Sequence, residues 1–229
     1  MSKVLLVNSY FYRLDSKQWK FKQPYPPLAT LQAAAVVRAA GHATAFVDVS
    51  LFHKPSEIQP SLIREGSEYF IIYDDGFNYL TKMCLTVMRE AACQMASMAK
   101  EHGYIVIISS SDSTDHYDKY FPHGVDYVVR GEGEETLLEL LRCLDSKGDV
   151  STIAGLAYQK EGKSITTQQR PVHRHLDAFP LPAWDLIDLE PYQSIWRKHH
   201  DCFSLNLATT RGCPYKCNWC AKQIGRAHV

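Results

Sequence analysis

Apolar positions in this chain follow two rhythms that take turns. Lys3–Asn8 is a solid run of β-branched residues and Leu, which predicts a strand covered on both faces. Pro26-Pro27-Leu28-Ala29 opens a stretch in which apolar residues recur through Ala40. Proline suits its first helical turn, and Gly41 is placed to end it in a left-handed cap. Ala43–Val49 predicts a second strand, Pro55–Glu65 a poorer helix and Tyr69–Tyr73 a third strand. Lys82–His102 carries Met83, Met88, Ala91, Met95 and Met98 at helical spacing and stops at Gly103. That stripe reads as core packing rather than a soft-ligand site. Tyr104–Ile108 and Val125–Arg130 are the fourth and fifth strands, and Glu134–Lys147 is a further amphipathic helix. Alternation of this kind over about 145 residues implies a doubly wound α/β domain, a parallel sheet with helices on both faces.

After Gly148 the rhythm breaks. Ile153–Gln159 and Ser164–Gln168 flank Lys160-Glu161-Gly162-Lys163, a hairpin signal with glycine in the turn. Arg170–Pro191 is rich in proline and aromatics and reads as an ordered linker. Phe203–Thr209 reads as one more strand, leading into Arg211-Gly212-Cys213. The expected organisation is an α/β domain over residues 1–150, a hairpin and linker over 151–200, and the opening of a truncated second domain over 201–229. Ile224-Gly225-Arg226-Ala227-His228-Val229 matches the translation of a sequencing adapter and is expected to be artefactual, outside fold reasoning.

Charge narrows the function classes. Lys plus Arg and Asp plus Glu balance at 25 each, which argues against a nucleic-acid groove with its basic excess. The first residues turn polar too soon for a signal peptide, and no run approaches the roughly 18 apolar residues of a membrane helix. The expectation is a cytoplasmic protein without membrane or nucleic-acid partners.

Of the seven cysteines, Cys84, Cys93, Cys143 and Cys202 are scattered and read as small buried hydrophobes. The other three fall in one loop, Cys213-Pro214-Tyr215-Lys216-Cys217-Asn218-Trp219-Cys220. Three thiolates on one loop can fix three corners of a cubane iron–sulfur cluster and leave the fourth iron open to an external ligand. Zinc is the first alternative, with His199, His200 or Cys202 as a fourth ligand. A redox C-x-x-C at Cys217–Cys220 is the second.

The C-x₃-C-x₂-C spacing, with an aromatic just before the last cysteine, resembles the signature of the radical S-adenosylmethionine superfamily. The resemblance implies that Cys213, Cys217 and Cys220 bind a 4Fe-4S cluster whose open iron is chelated by S-adenosylmethionine. One electron then breaks a carbon–sulfur bond, giving methionine and a deoxyadenosyl radical that abstracts hydrogen from substrate. Trp219 would lie near the adenine. The strand before Thr210-Arg211-Gly212 resembles the first strand of that family's partial TIM barrel.

The upstream half is similar to the cobalamin-binding group of these enzymes, with a flavodoxin-like (Rossmann-like) domain. The similarity is carried by Arg130-Gly131-Glu132-Gly133-Glu134, Gly155-Leu156-Ala157-Tyr158 and Leu181-Pro182-Ala183-Trp184-Asp185. Open sheets of this kind bind ligands at the carboxyl ends of their strands. Candidate corrin contacts are therefore Ser109, Ser110 and Ser111 after the fourth strand, and Gly131, Glu132 and Gly133 after the fifth. The Asp-x-His-x-x-Gly motif of proteins that ligate cobalt with histidine is missing. Asn8-Ser9-Tyr10-Phe11-Tyr12 stands in its place, and His116 lies in an unrelated context.

The resemblance implies a methyl transfer, rearrangement or ring-forming reaction on a small-molecule or peptide substrate, fed by an electron donor such as flavodoxin or ferredoxin. A fragment that stops after the cluster loop is expected to be inactive alone. The alternatives are a zinc-stabilised binding module and a radical enzyme whose first domain has lost cobalamin.

Overall fold

The computed structural model describes residues 2–74, 86–209 and Arg211. Five parallel strands form the body of the sheet: β1 (Lys3–Val7), β2 (Ala43–Val47), β3 (Tyr69–Tyr73), β4 (Ile105–Ser109) and β5 (Tyr127–Val129). The order is β2-β1-β3-β4-β5, so the chain moves to one side of β1 and then crosses to the other. The expected doubly wound domain is present.

Alternate residues of each strand feed two separate cores. Leu5, Val7, Phe70, Ile72, Val106 and Ile108 pack on one face, against Met95 and Ala96 of α4 (Thr86–Glu101) and Leu62 of α3 (Gln59–Glu65). Val4, Leu6, Ile71 and Ile107 pack on the other. There they meet Ala33 and Val37 of α2 (Leu28–Ala39) and Leu137 and Leu140 of α6 (Glu134–Asp145). Burial on both sides is why these strands are written as unbroken apolar runs. The methionine stripe is core, as its period suggests: Met95 is fully buried, and Met88 and Met98 pack beside it. The expected helix start at Lys82 and residue Met83 lie outside the described residues.

The hairpin belongs to the sheet. β6 (Leu156–Lys160) runs antiparallel to β5 with Val128 opposite Ala157, and β7 (Lys163–Thr166) pairs with β6, giving seven strands. The linker holds a helix that the sequence reading passed over, α7 (Glu190–His200). Its signals were Pro191 in the first turn, Tyr192 and Trp196 four residues apart, and basic residues in the last turn. Tyr192 and Trp196 are buried. The Trp196 indole donates to the carbonyl of Pro24 at 2.8 Å, and its ring meets Tyr25 edge-on at 5.3 Å. The His200 Nε2 donates to the carbonyl of Phe21, 3.0 Å away.

One expectation is corrected. Phe203–Thr209 forms no strand. A strand needs a ladder partner, and this segment has none among the described residues; Leu205 is 43% exposed and Leu207 79% exposed.

The contact between α7 and the sheet edge contains a charge. Ser50 N–H donates to Asp48 Oδ1 at 2.9 Å, and the buried Tyr192 hydroxyl donates to Asp48 Oδ2. Loss of water around the carboxyl raises its pKa, outweighing the hydrogen bonds from Ser50 and Tyr192 that favour the ion. An acid whose folded pKa is raised stabilises the fold fully below its unfolded value, about 4, and that contribution is lost as pH rises through the folded value. Asp48→Asn should therefore gain stability relative to the parent over a pH window that opens at about 4. Paired urea midpoints read this difference, and a constant offset across the window would show that Asp48 titrates normally.

Candidate cofactor site

β1 and β3 are neighbours whose following helices cover opposite faces, which puts the switch point of the sheet between Val7 and Tyr73. The loop after β1 is committed internally. Asn8 is fully buried; its amide donates to Ser50 Oγ at 2.7 Å, and its Oδ1 accepts from Val49 N–H at 3.0 Å. Asn8 thus ties the loops after β1 and β2 together. No imidazole is present in Asn8–Tyr12, and His116 is an exposed residue just past α5 (Ser111–Asp115).

The loop after β4 supplies three serines with three different jobs. Ser109 is buried, and its carbonyl accepts from Asp74 N–H at 2.8 Å. Ser110 caps α5: its Oγ accepts from Ser113 N–H at 2.8 Å, while Ser110 N–H donates to Ser113 Oγ at 2.9 Å. Ser111 begins the helix with part of its surface open. Asp112 anchors this short helix to α4 through Arg89 Nε at 2.6 Å and also accepts from the Tyr120 hydroxyl at 2.6 Å. Burial pulls the Asp112 carboxyl upward, but these partners together outweigh it and hold the group below its usual range.

The loop after β5 divides in the same way. Gly131 has φ of +80°, is exposed, and a Cβ there would meet nothing within 4 Å. Its backbone faces open space, with its N–H donating to Thr114 Oγ1 at 3.2 Å. Gly133 is the opposite: a Cβ there would sit 2.8 Å from both Ser109 Oγ and the Tyr73 hydroxyl oxygen. Only glycine lets this turn close on β3 and β4. Glu132 reaches the linker, accepting from His173 N–H at 3.2 Å.

The next residue makes a connection that sequence reading missed. Glu134, at the start of α6, is 2% exposed overall and binds both ends of the Arg211 guanidinium, with Nη1 donating to Oε2 at 3.0 Å and Nη2 to Oε1. Arg211 has an 11% exposed side chain and also lies over the Phe179 ring at 5.5 Å. Buried forked pairs of this kind are short and directional, and removing one partner strands a charge at a cost of about 3–5 kcal/mol. Arg170 extends the joint, pairing with Glu135 and Glu139 and donating to Thr136 Oγ1 at 2.7 Å. The His173 Nδ1 lies 2.8 Å from Glu135. The cavity between Glu132, Glu134, Arg170, His173 and Phe179 is about 10 Å³, room for one water. This face is a joint, not a pocket. Glu134 and Arg211 stand 77 positions apart, so no local pattern announces their meeting.

The cluster candidates Cys213, Cys217 and Cys220, together with Trp219, lie outside the described residues, as does Cys84. The sequence places Cys213 two positions beyond the anchored Arg211. Among the described residues no group of three or more His, Cys, Asp and Glu could hold a metal. Of the ligands considered for zinc, His200 spends its Nε2–H on the carbonyls of Phe21 and Lys22, while Cys202 is an exposed free thiol. Of the cysteines expected to be small buried hydrophobes, Cys93 is one, its thiol pushed up to about 11 by burial, whereas Cys143 is only half-buried and Cys202 is not buried. No helix among the described residues is long and apolar enough to cross a membrane.

No family model matches the chain. Among characterised proteins it is 25% identical over 207 residues to the anaerobic magnesium-protoporphyrin IX monomethyl ester cyclase of Synechocystis sp., covering 88% of this chain and 39% of the cyclase. It is 34% identical over 101 residues to an uncharacterized methyltransferase of Pyrococcus horikoshii, covering 44% of this chain and 21% of that protein. The solved structure of OxsB, a cobalamin-dependent S-adenosylmethionine radical enzyme with aqua-cobalamin and S-adenosylmethionine bound, superposes with a TM-score of 0.70 at 19% identity. That match covers 96% of this chain and 28% of OxsB. The radical S-adenosylmethionine methyltransferase TsrM from Kitasatospora setae, with cobalamin and a [4Fe-4S] cluster bound, gives a TM-score of 0.59 at 17% identity over 85% of this chain and 34% of TsrM. The chain therefore spans well under half the length of each of these relatives, and its fold is one found in cobalamin-dependent radical S-adenosylmethionine enzymes.

Proposed function

We propose that this chain is the cobalamin-binding and cluster-entry part of a radical S-adenosylmethionine enzyme. The observation that carries the reading is a coincidence of position. The C-x₃-C-x₂-C motif begins two residues after Arg211, and Arg211 is held on the turn that follows β5 of a sheet with this fold. Cys213, Cys217 and Cys220 would hold a 4Fe-4S cluster, with Trp219 beside the adenine of S-adenosylmethionine. When bound, the cluster would supply the one electron that divides S-adenosylmethionine into methionine and a deoxyadenosyl radical. The open backbone at Gly131 and the partly open Ser111 suit the edge of a large corrin, which would supply a methyl carrier or electronic partner. Ser109, Ser110, Glu132 and Gly133 would act behind them, holding the two loops in shape. With no imidazole in the loop after β1, cobalt would carry no histidine ligand from that loop. The whole enzyme would act on a small-molecule or peptide substrate, by methyl transfer or rearrangement. It would work in the cytoplasm with a flavodoxin- or ferredoxin-like electron donor, and this part alone would not turn over.

Anaerobic reconstitution with iron and sulfide should give a brown protein with about four irons per chain. Replacing Cys213, Cys217 or Cys220 by Ala should abolish the absorbance, whereas Cys93→Ala should leave it intact. Stoichiometric zinc without iron under the same conditions would overturn the cluster reading.

The corrin edge has its own test. The chain should bind hydroxocobalamin with spectra that lack the marks of histidine ligation. Gly131→Trp should weaken binding at least tenfold by filling the open edge, and His116→Ala should change nothing. Binding lost with His116→Ala, or indifferent to Gly131→Trp, would show that the corrin lies elsewhere.

A further inference from the structure

The chain leaves α7 at His200, its described residues through Thr209 form no regular element, and Leu207 among them is 79% exposed. Arg211 is fixed in orientation as well as position, because both Nη groups engage both oxygens of Glu134. The seat is rigid. Glu134 follows Gly133, which closes against Tyr73 and Ser109 with no room for a Cβ, and α6 continues from it into the core through Leu137. Phe179 lies against the guanidinium from the linker. Two residues of chain reach at most about 7 Å, so fixing Arg211 limits where the first thiolate of the motif can go. The same loop carries Gly131, the open backbone edge, three residues before Glu134.

From this geometry we infer that Glu134 is a positioning residue. Through Arg211 it fixes the chain two positions before Cys213 at the turn that follows β5, which limits how far the first cysteine can lie from that turn. The inference rests on the reading of Cys213, Cys217 and Cys220 as cluster ligands. It assigns to the Gly-Glu-Gly-Glu turn a second task besides facing a corrin. A surface ion pair in the same place would be worth little, but this one is buried on both sides and joins segments that nothing else brings together by sequence.

The test uses the whole chain and four variants. Glu134→Gln removes the anchoring charge, and Arg211→Lys keeps charge but loses the fork. Asp149→Asn is the control, an exposed acid whose side-chain bonds stay within its own turn at Ser151. Hydrogen exchange of residues 203–211 should quicken at least tenfold in Glu134→Gln and less in Arg211→Lys, and stay at the parent rate in Asp149→Asn. After reconstitution, the reduced cluster of Glu134→Gln should show a shifted or broadened electron paramagnetic resonance spectrum and faster iron loss. Gly133→Ala should behave like Glu134→Gln, because the added Cβ would press the turn away from Tyr73. Parent-like exchange and an unchanged spectrum in Glu134→Gln would overturn the inference. A parent chain that takes up no iron would instead overturn the cluster reading, while the exchange comparison would still decide whether Glu134 holds the segment.

Discussion

A parallel strand has no solvent face to spare, and this constraint governs nearly everything else in the molecule. Leu5 and Val7 point into one core while Val4 and Leu6 point into the other, so helices must lie on both sides. Covering two faces forces the chain to cross from one side of β1 to the other, as the order β2-β1-β3-β4-β5 records. The crossing gathers at the carboxyl ends of the strands the loops that are not needed for the core. The candidate site exists because the core had to be built this way.

Within that edge, the loops separate into structure and surface. Asn8, Ser109, Ser110 and Gly133 are used up in holding neighbouring loops together, by hydrogen bonds or by lack of bulk. Gly131 and Ser111 remain outward. A polar or glycine-rich loop therefore cannot be read as a contact surface residue by residue. Four of these six residues serve the turns that present the other two.

The segment after the hairpin is joined to the domain by two different kinds of contact. α7 is held by aromatic burial, with Trp196 and Tyr192 carrying most of the apolar area and each spending its polar atom on a specific acceptor. Residues 170–179 and Arg211 are held instead by charge, through Arg170, His173, Glu134 and Glu135. Apolar contacts of the first kind are forgiving of direction. The forked Arg211–Glu134 pair is not.

Local signals in the sequence were enough to determine the α/β domain, the hairpin and the three clustered thiols. Strand runs, helical periods, Gly41, Gly103 and the turn at Gly162 are properties of neighbouring residues, and a core with two faces permits few other readings. α7 was legible in principle through Pro191, Tyr192 and Trp196, but the proline-rich stretch before it masked the period. Phe203–Thr209 shows the converse limit: an apolar run specifies a strand only where another strand is there to pair with it. Only the tertiary structure decided that β6 and β7 extend the sheet, that Gly133 is an internal contact while Gly131 is open, and that Glu134 meets Arg211. Each of these depends on which residues distant along the chain become neighbours in space. Hydrophobic period carries that information for strands and helices but not for a single buried charge.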